Sequence, residues 1–338
     1  MNKKYFSPIV VLVLALAVAG CNKAGKLNEK SKQSLPTGPV ALKLKWTPNE
    51  RVVQDMDMKM QTETAIPGQP APMKQDMAMG QKYALTVLKE NPDGGHELEM
   101  EYLSARMGME QNGKKVMDYD SEKKSETDAK NPVAGMFGKM VGSKLHFFLD
   151  ASNNVDHIEG VDEMMSRMSS GRGAAQLAPL KSMFSESSFR QMLSSSKFLP
   201  PNPVAPGDTW PVQLEMPDET VGTLSLDFNF TLERWEQHGK RNCARMEFQG
   251  TVKTKPGTSN KPNAMGMTIS IQDGTISGVS WFDPELGITI DSQMHENMTL
   301  SISIKNPRAK PGTPAAQPQN MSSQLTQDIN IKLDSLNE

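Results

Sequence analysis

The chain is 338 residues long, with 22% charged and 37% hydrophobic residues, proportions that exclude a polytopic membrane protein and a fully disordered one. At about 150 residues per domain, this length allows two domains or one large β domain. A formal net charge of -2 gives no basis for nucleic-acid binding, and the unusual count is Met, at 25.

Lys3 and Lys4 form a short basic stretch, and Ile9 to Ala19 are almost purely apolar. That is the layout of a secretory signal peptide, and the run is shorter than the roughly 20 apolar residues that span a bilayer. Val18-Ala19-Gly20-Cys21 follows. This string resembles the bacterial lipobox, which implies cleavage between Gly20 and Cys21 and acylation of Cys21 by diacylglycerol and a palmitate-type chain. Two or three chains, at about 0.8 kcal/mol per buried CH₂, make a lasting anchor in the lipid bilayer. The alternative is an ordinary signal peptide with a coincidental Cys. Asn22, in place of Asp, resembles the sorting rule of Gram-negative envelopes and implies the outer membrane, facing the periplasm. Cleavage takes the net charge to about -4 and leaves Cys243 as the unmodified thiol. A single thiol makes no internal disulfide, so the core alone must stabilise the fold.

Residues 1–20 therefore read as a lipoprotein signal peptide and 21–39, polar and aperiodic, as a flexible tether. From residue 40 onward period-two alternation dominates. Val52, Met56, Met58 and Met60 share one phase, and Met73, Met77, Met79, Tyr83, Leu85 and Val87 share the next. The third strand slips phase between Tyr102 and Leu103, ahead of Met107 and Met109, which predicts a β-bulge. Asn112-Gly113 predicts a tight hairpin into a short strand near Val116–Tyr119. Residues 120–131 read as a charged loop, and Leu145–Leu149 pairs with Val155–Glu159 across Asn153-Asn154.

The period then changes. Val161, Met164, Met165 and Met168 fall on one helical face, and Ala174 to Met183 reads as a weaker helix. Ser185 is placed to cap a third helix that carries Met192, with Phe184 and Phe189 as a hydrophobic staple. After Pro200-Pro201 the strands return. Leu224 to Leu232, Ala244 to Phe248, Met265 and Met267 to Ile271, Ile288 to Ile304, and Leu325 to Leu333 all alternate.

The predicted fold is α+β and mainly antiparallel β: a curved half-barrel or open barrel of about a dozen strands with a central helical insert. It forms a single domain over 40–338, with a first strand set at 40–160, the insert at 161–199 and a second strand set at 203–338. A lipid-spanning barrel needs aromatic girdles, and aromatics are 6%.

Phe148-Leu149-Asp150, Val155 to Gly160, Phe189 to Pro200, Pro206-Gly207-Asp208-Thr209-Trp210 and Trp281 to Gly287 occur in this order. Together they resemble a family of uncharacterised bacterial lipoproteins, a domain-of-unknown-function group with no assigned activity. More distantly, the architecture is similar to envelope lipoprotein carriers and lipid-binding lipoproteins.

No nucleophile elbow, zinc-protease helix or phosphate loop is present, so the expectation is a non-enzymatic protein without a cofactor. Asp150 to Asp156 spaces oxygens like the start of a calcium loop, but Val155 stands where Gly belongs, and a hairpin turn explains it better. Asp208 reads as a turn residue. Cys243 is read as a small apolar filler; it shares strand phase with Arg241 and Arg245, so the alternative is a partly exposed, reactive thiol.

Met-x-Met recurs at Met56/Met58/Met60, Met77/Met79, Met107/Met109 and Met265/Met267. Thioethers suit Cu(I), which leaves copper handling open. The apolar strand phase instead places these residues, with Met164, Met165, Met168 and Met192, as the lining of a deformable cavity for a lipid or other apolar small molecule. The remaining alternative is a solid core in a structural module whose partner is another envelope protein, met at a sheet edge.

Overall fold

The computed structural model describes residues 34–123, 132–169, 184–218, 221–258, 262, 267–304 and 319–337. The signal peptide, the lipobox, most of the tether, the helix expected at 174–183 and Met265 lie outside the described residues.

The first strand set comprises β1 (Arg51–Thr64), β2 (Met73–Glu90), β3 (His96–Gln111) and β4 (Lys114–Asp120), then β5 (Lys144–Leu149) and β6 (Val155–Glu159). The insert contains α2 (Val161–Ser169), α3 (Glu186–Met192) and a 3₁₀ turn (Ser194–Phe198). An earlier short helix, α1 (Pro132–Met140), precedes β5. The second set is β7 (Thr209–Asp218), β8 (Gly222–His238), β9 (Arg241–Thr254), β10 (Met267–Asp283), β11 (Ile288–Ile304) and β12 (Gln319–Asn337).

All twelve strands join one antiparallel sheet that does not close, in the order β6-β5-β3-β2-β1-β12-β11-β10-β9-β8-β7, with β4 beside the far half of β3. The first and last strands pair at its centre. Alternation sets the register, because a slip of one residue would turn each Met outward. The Tyr102–Leu103 slip is a β-bulge as expected: Tyr83 faces Tyr102 and Lys82 faces Ser104, so Leu103 is the extra residue. The Asn112-Gly113 turn forms as expected, with positive φ at both residues (50° and 73°).

The insert shows why the sheet must curve. Phe189 of α3 packs on Phe147 of β5, while Phe198 packs on Phe228 and Phe230 of β8. Along the sheet β5 and β8 are eight strand steps apart, about 38 Å at roughly 4.8 Å per step. From 189 to 198 the chain, coiled as helix and 3₁₀ turn, spans only about 14–18 Å. Both contacts are met because the sheet wraps around the insert. Ser185 caps α3 as expected, accepting from the Ser188 amide at 3.2 Å. The two rings expected to form the staple pack on other rings of the core, Phe184 against Phe137 of α1 and Phe189 against Phe147.

Inward glycines make room for aromatic rings. A Cβ on Gly278 would sit 2.3 Å from the Gln293 carbonyl oxygen and 2.4 Å from Phe248. Gly278→Ala is expected to lower unfolding free energy by about 2–3 kcal/mol, since overpacking is resisted here by backbone. Urea titration measures this, and a cost under about 0.5 kcal/mol would show that the ring and strand move aside.

Both sheet edges are blunted. Arg190 of α3 donates to the Val155 and Asp156 carbonyls of β6, and β7 carries Pro211 and Pro217.

Candidate functional site

The inner face is organised in lateral rows. One runs Met117, Met109, Met77, Met60, Gln327, Glu296, Ile276, Gly250, Phe228 and Val212, from β4 to β7. The next runs Tyr119, Met107, Met79, Met58, Ile329, Met294, Gly278, Phe248, Phe230 and Trp210. One half of the interior is therefore thioether and the other half aromatic. Cross-strand pairing converts the Met-x-Met spacing along each strand into ladders across the sheet.

Of the predicted lining residues, Met56, Met58, Met60, Met77, Met79, Met107, Met109, Met164, Met168 and Met267 are all buried, with exposures of 1–8%. Met165 and Met192 are partly buried against the same core. The inner face is thus a shared surface, and in this conformation side chains of the chain itself fill the space over it. Met56→Leu, Met58→Leu and Met60→Leu together are expected to keep the fold, each at under about 1.5 kcal/mol, because Leu and Met nearly match in volume. Thermal unfolding of the triple variant checks this, and loss of a cooperative transition would mean that the thioethers do more than fill space.

The imidazoles are not placed to join the Met rows as copper ligands. His146, His157, His238 and His295 each lie 2.7–3.2 Å from a carboxylate (Glu99, Asp156, Asp291 and Asp328). His96 lies beside the Trp46 ring. Asp150 is a turn residue, its carboxylate accepting from the amides of Ser152 and Asn154 and from the Asn154 side chain. Those bonds hold its pKa below the usual carboxylate range. Asp208 likewise accepts from the Ala205 amide at 2.8 Å.

Cys243 is a small buried filler, as expected, although it shares strand phase with Arg241 and Arg245. It is fully buried, and burial followed by the nearby Asp283 charge pushes its thiol up to about 12. The strand phase does not expose it because the outer face carries a small packed cluster at this end. Trp281 stacks on His238 at 4.4 Å, donates to Glu236 and lies under Arg245. The thiol has no access to solvent and is chemically quiet.

The feature that sequence reasoning missed is Glu296. It stands on the inward phase of β11 between Met294 and Met298, fully buried, and neither carboxylate oxygen has a hydrogen-bond partner. Burial pushes its pKa up to about 8. Gln327, opposite it on β12, is equally buried. The signal was present in the sequence: Glu296 occupies an apolar position of Ile290, Met294, Met298, Leu300 and Ile302, where a charge breaks the alternation.

Residues 40–46 sew one end of the half-barrel shut. Val40 bridges to Val204, Lys45 donates to the Pro284 carbonyl at 2.7 Å, and Trp46 donates to Asn153 at 2.6 Å. The segments that carry the family resemblance are thus gathered at this end, in the β5–β6 turn, the approach to β7 and the β10–β11 turn. Among the described residues, open clefts of about 1000 Å³ lie beside α2, bounded by Lys144, Ile158 and Phe184, of about 780 Å³ on the outer face, bounded by Lys59, Arg245 and Asp328, and of about 440 Å³ at the approach to β7, bounded by Pro200, Val204 and Trp210.

A family model described as a family of unknown function, DUF6263, matches residues 93–289, more than half of the chain. The chain belongs to this family. Its matched span runs from the β2–β3 turn to the start of β11 and includes the whole insert. No curated protein matches the sequence. Among solved structures, lipovitellin, studied for its lipid–protein interactions, aligns over 86% of this chain and 26% of its own, at 9% identity and a TM-score of 0.43. The chain thus spans about a quarter of that relative's length. DynF of the dynemicin biosynthesis pathway of Micromonospora chersina aligns over 94% and 95% of the two chains, at 8% identity and a TM-score of 0.18. A DUF1329 family protein from Desulfovibrio piger aligns over 83% and 85%, at 8% and 0.14. Values this low do not bear on what the present chain binds.

Proposed function

We propose that the mature protein is a non-enzymatic, acyl-anchored lipoprotein of the bacterial envelope that binds an apolar molecule between its Met-lined inner face and the helical insert. The observation that carries this reading is the pair of thioether ladders. Leu, Ile and Val specify a rigid core more sharply than Met, whose unbranched chain repacks at small cost. A surface of seven Met residues on three neighbouring strands, Met56 to Met60, Met77, Met79, Met107 and Met109, suits an interior that opens around a guest. The guest replaces side-chain contacts made in the closed conformation.

A second reading, a solid-core interaction module, is favoured by the low exposure of the same Met residues. Uptake of the neutral dye N-phenyl-1-naphthylamine separates the two. Saturable, near-stoichiometric fluorescence enhancement supports a binding interior, and none supports the solid core.

Anchoring has its own test. Cys21→Ser is expected to move the protein from the membrane pellet to the soluble fraction and to abolish palmitate labelling, because the lipid bilayer is held through the acyl chains alone. Unchanged membrane association would contradict the anchor.

A further inference from the structure

The buried polar groups of the inner face select among apolar ligands, an inference that rests on the binding reading above. Glu296 lies mid-strand, flanked along β11 by Met294 and Met298 and across the sheet by Ile276 and Gln327, with Met60 beyond. The polar neighbours at adjoining inward positions are uncharged: Gln75, Thr62, Thr64 and Ser323, the last two hydrogen-bonded at 2.9 Å. Among the described residues no Lys or Arg is buried. An anionic head brought to this place would meet a carboxyl group and, among the described residues, no buried cation, and an unpaired buried charge is costly.

We propose that the ligand carries an uncharged hydrogen-bonding head, an alcohol or ester, held by Glu296, and that free carboxylates are rejected. With its pKa near 8, Glu296 is mainly protonated at neutral pH and donates to the head's oxygen. An alkylammonium would require Glu296 to ionise between apolar walls, and a buried ion pair at best breaks even against its desolvation.

The test uses the full chain carrying Cys21→Ser, stripped of lipid, loaded with N-phenyl-1-naphthylamine at pH 7. Dodecan-1-ol should displace the dye at a concentration at least about tenfold below that of dodecanoate or dodecylamine, the scale of one buried hydrogen bond. Glu296→Leu should retain dye uptake and shrink the alcohol's advantage over dodecanoate to under about threefold. Dodecanoate or dodecylamine equal to or better than the alcohol overturns the proposal, as does an unchanged ratio in the variant. Dye uptake without head-group discrimination overturns this inference alone, whereas absence of uptake overturns the binding reading with it.

Discussion

Glu296→Gln is expected to remove most of the pH dependence of stability between pH 5 and pH 8.5. The folded chain holds this carboxyl with a pKa raised to about 8, against an ordinary value of 4.5. Below 4.5 the group is protonated in both states and its contribution to stability is fully present. As pH rises, the unfolded chain releases the proton first, and stability falls by about 1.4 kcal/mol per pH unit until the folded pKa is passed. The loss across the window is roughly 3–5 kcal/mol, reduced where water reaches the ionised group. Of the other shifted groups, Asp55 is also raised, chiefly by burial, and acts in the same sense from 3.8 upward; the rest act elsewhere or in the opposite sense. Burial lowers the pKa of His96, so its contribution is present above 6.5 and fades as pH falls. The lowered carboxylates Asp120, Asp150 and Glu236 act only toward acid pH. Subtracting variant from wild type cancels these. Urea unfolding at pH 5 should find the two proteins nearly equal, and at pH 8.5 the variant should be ahead by about 3 kcal/mol. Parallel curves would mean that Glu296 finds a partner or water in solution.

Arg241→Ala is expected to cost about 3 kcal/mol for a different reason. Asp283 is almost wholly buried at the end of β10, where its carboxylate accepts from the Glu285 and Leu286 amides and from Arg241. Removing the guanidinium leaves a buried charge with only the two amides, and breaking such a pair costs about 3–5 kcal/mol. The amides and the partial exposure of Arg241 place the expectation at the low end. Asp283 also shapes the turn to Gly287, whose φ of 73° disfavours any side chain and where an added Cβ would sit 2.6 Å from the Lys45 amide nitrogen. The damage should therefore spread to the closed end, seen as faster hydrogen exchange at residues 40–50. A cost below about 1 kcal/mol, with exchange unchanged, would show that the turn holds without its ion pair.

Much of the sheet was legible because one face is buried. Alternation in β1, β2, β8 and β11 gave strand, face and even the Tyr102–Leu103 bulge, since a single extra residue inverts a visible phase. The strand order was not legible: nothing local in Met56 or Ile331 says that the first and last strands pair. Helix α1 was missed because two glycines in nine residues blur its period, although Pro132 at its first turn and Met136, Phe137 and Met140 on one side were available. Cys243 is buried on an outward phase because phase predicts only a face, and this stretch of the outer face is itself covered. Glu296 is less legible because titratable residues usually mark a site by clustering, and an isolated carboxyl on an apolar phase is a signal of another kind.

The claim that the thioether face is built to open around an apolar guest is tested most directly by native mass spectrometry of the protein purified from its own cells, before and after organic extraction. The expected result is a non-covalent adduct with the mass of one apolar molecule above that of the covalent chain, lost on extraction and recovered as a neutral compound in the organic phase. A protein that appears only at its covalent mass, with nothing apolar in the extract, would contradict the claim and leave the Met ladders as an ordinary core.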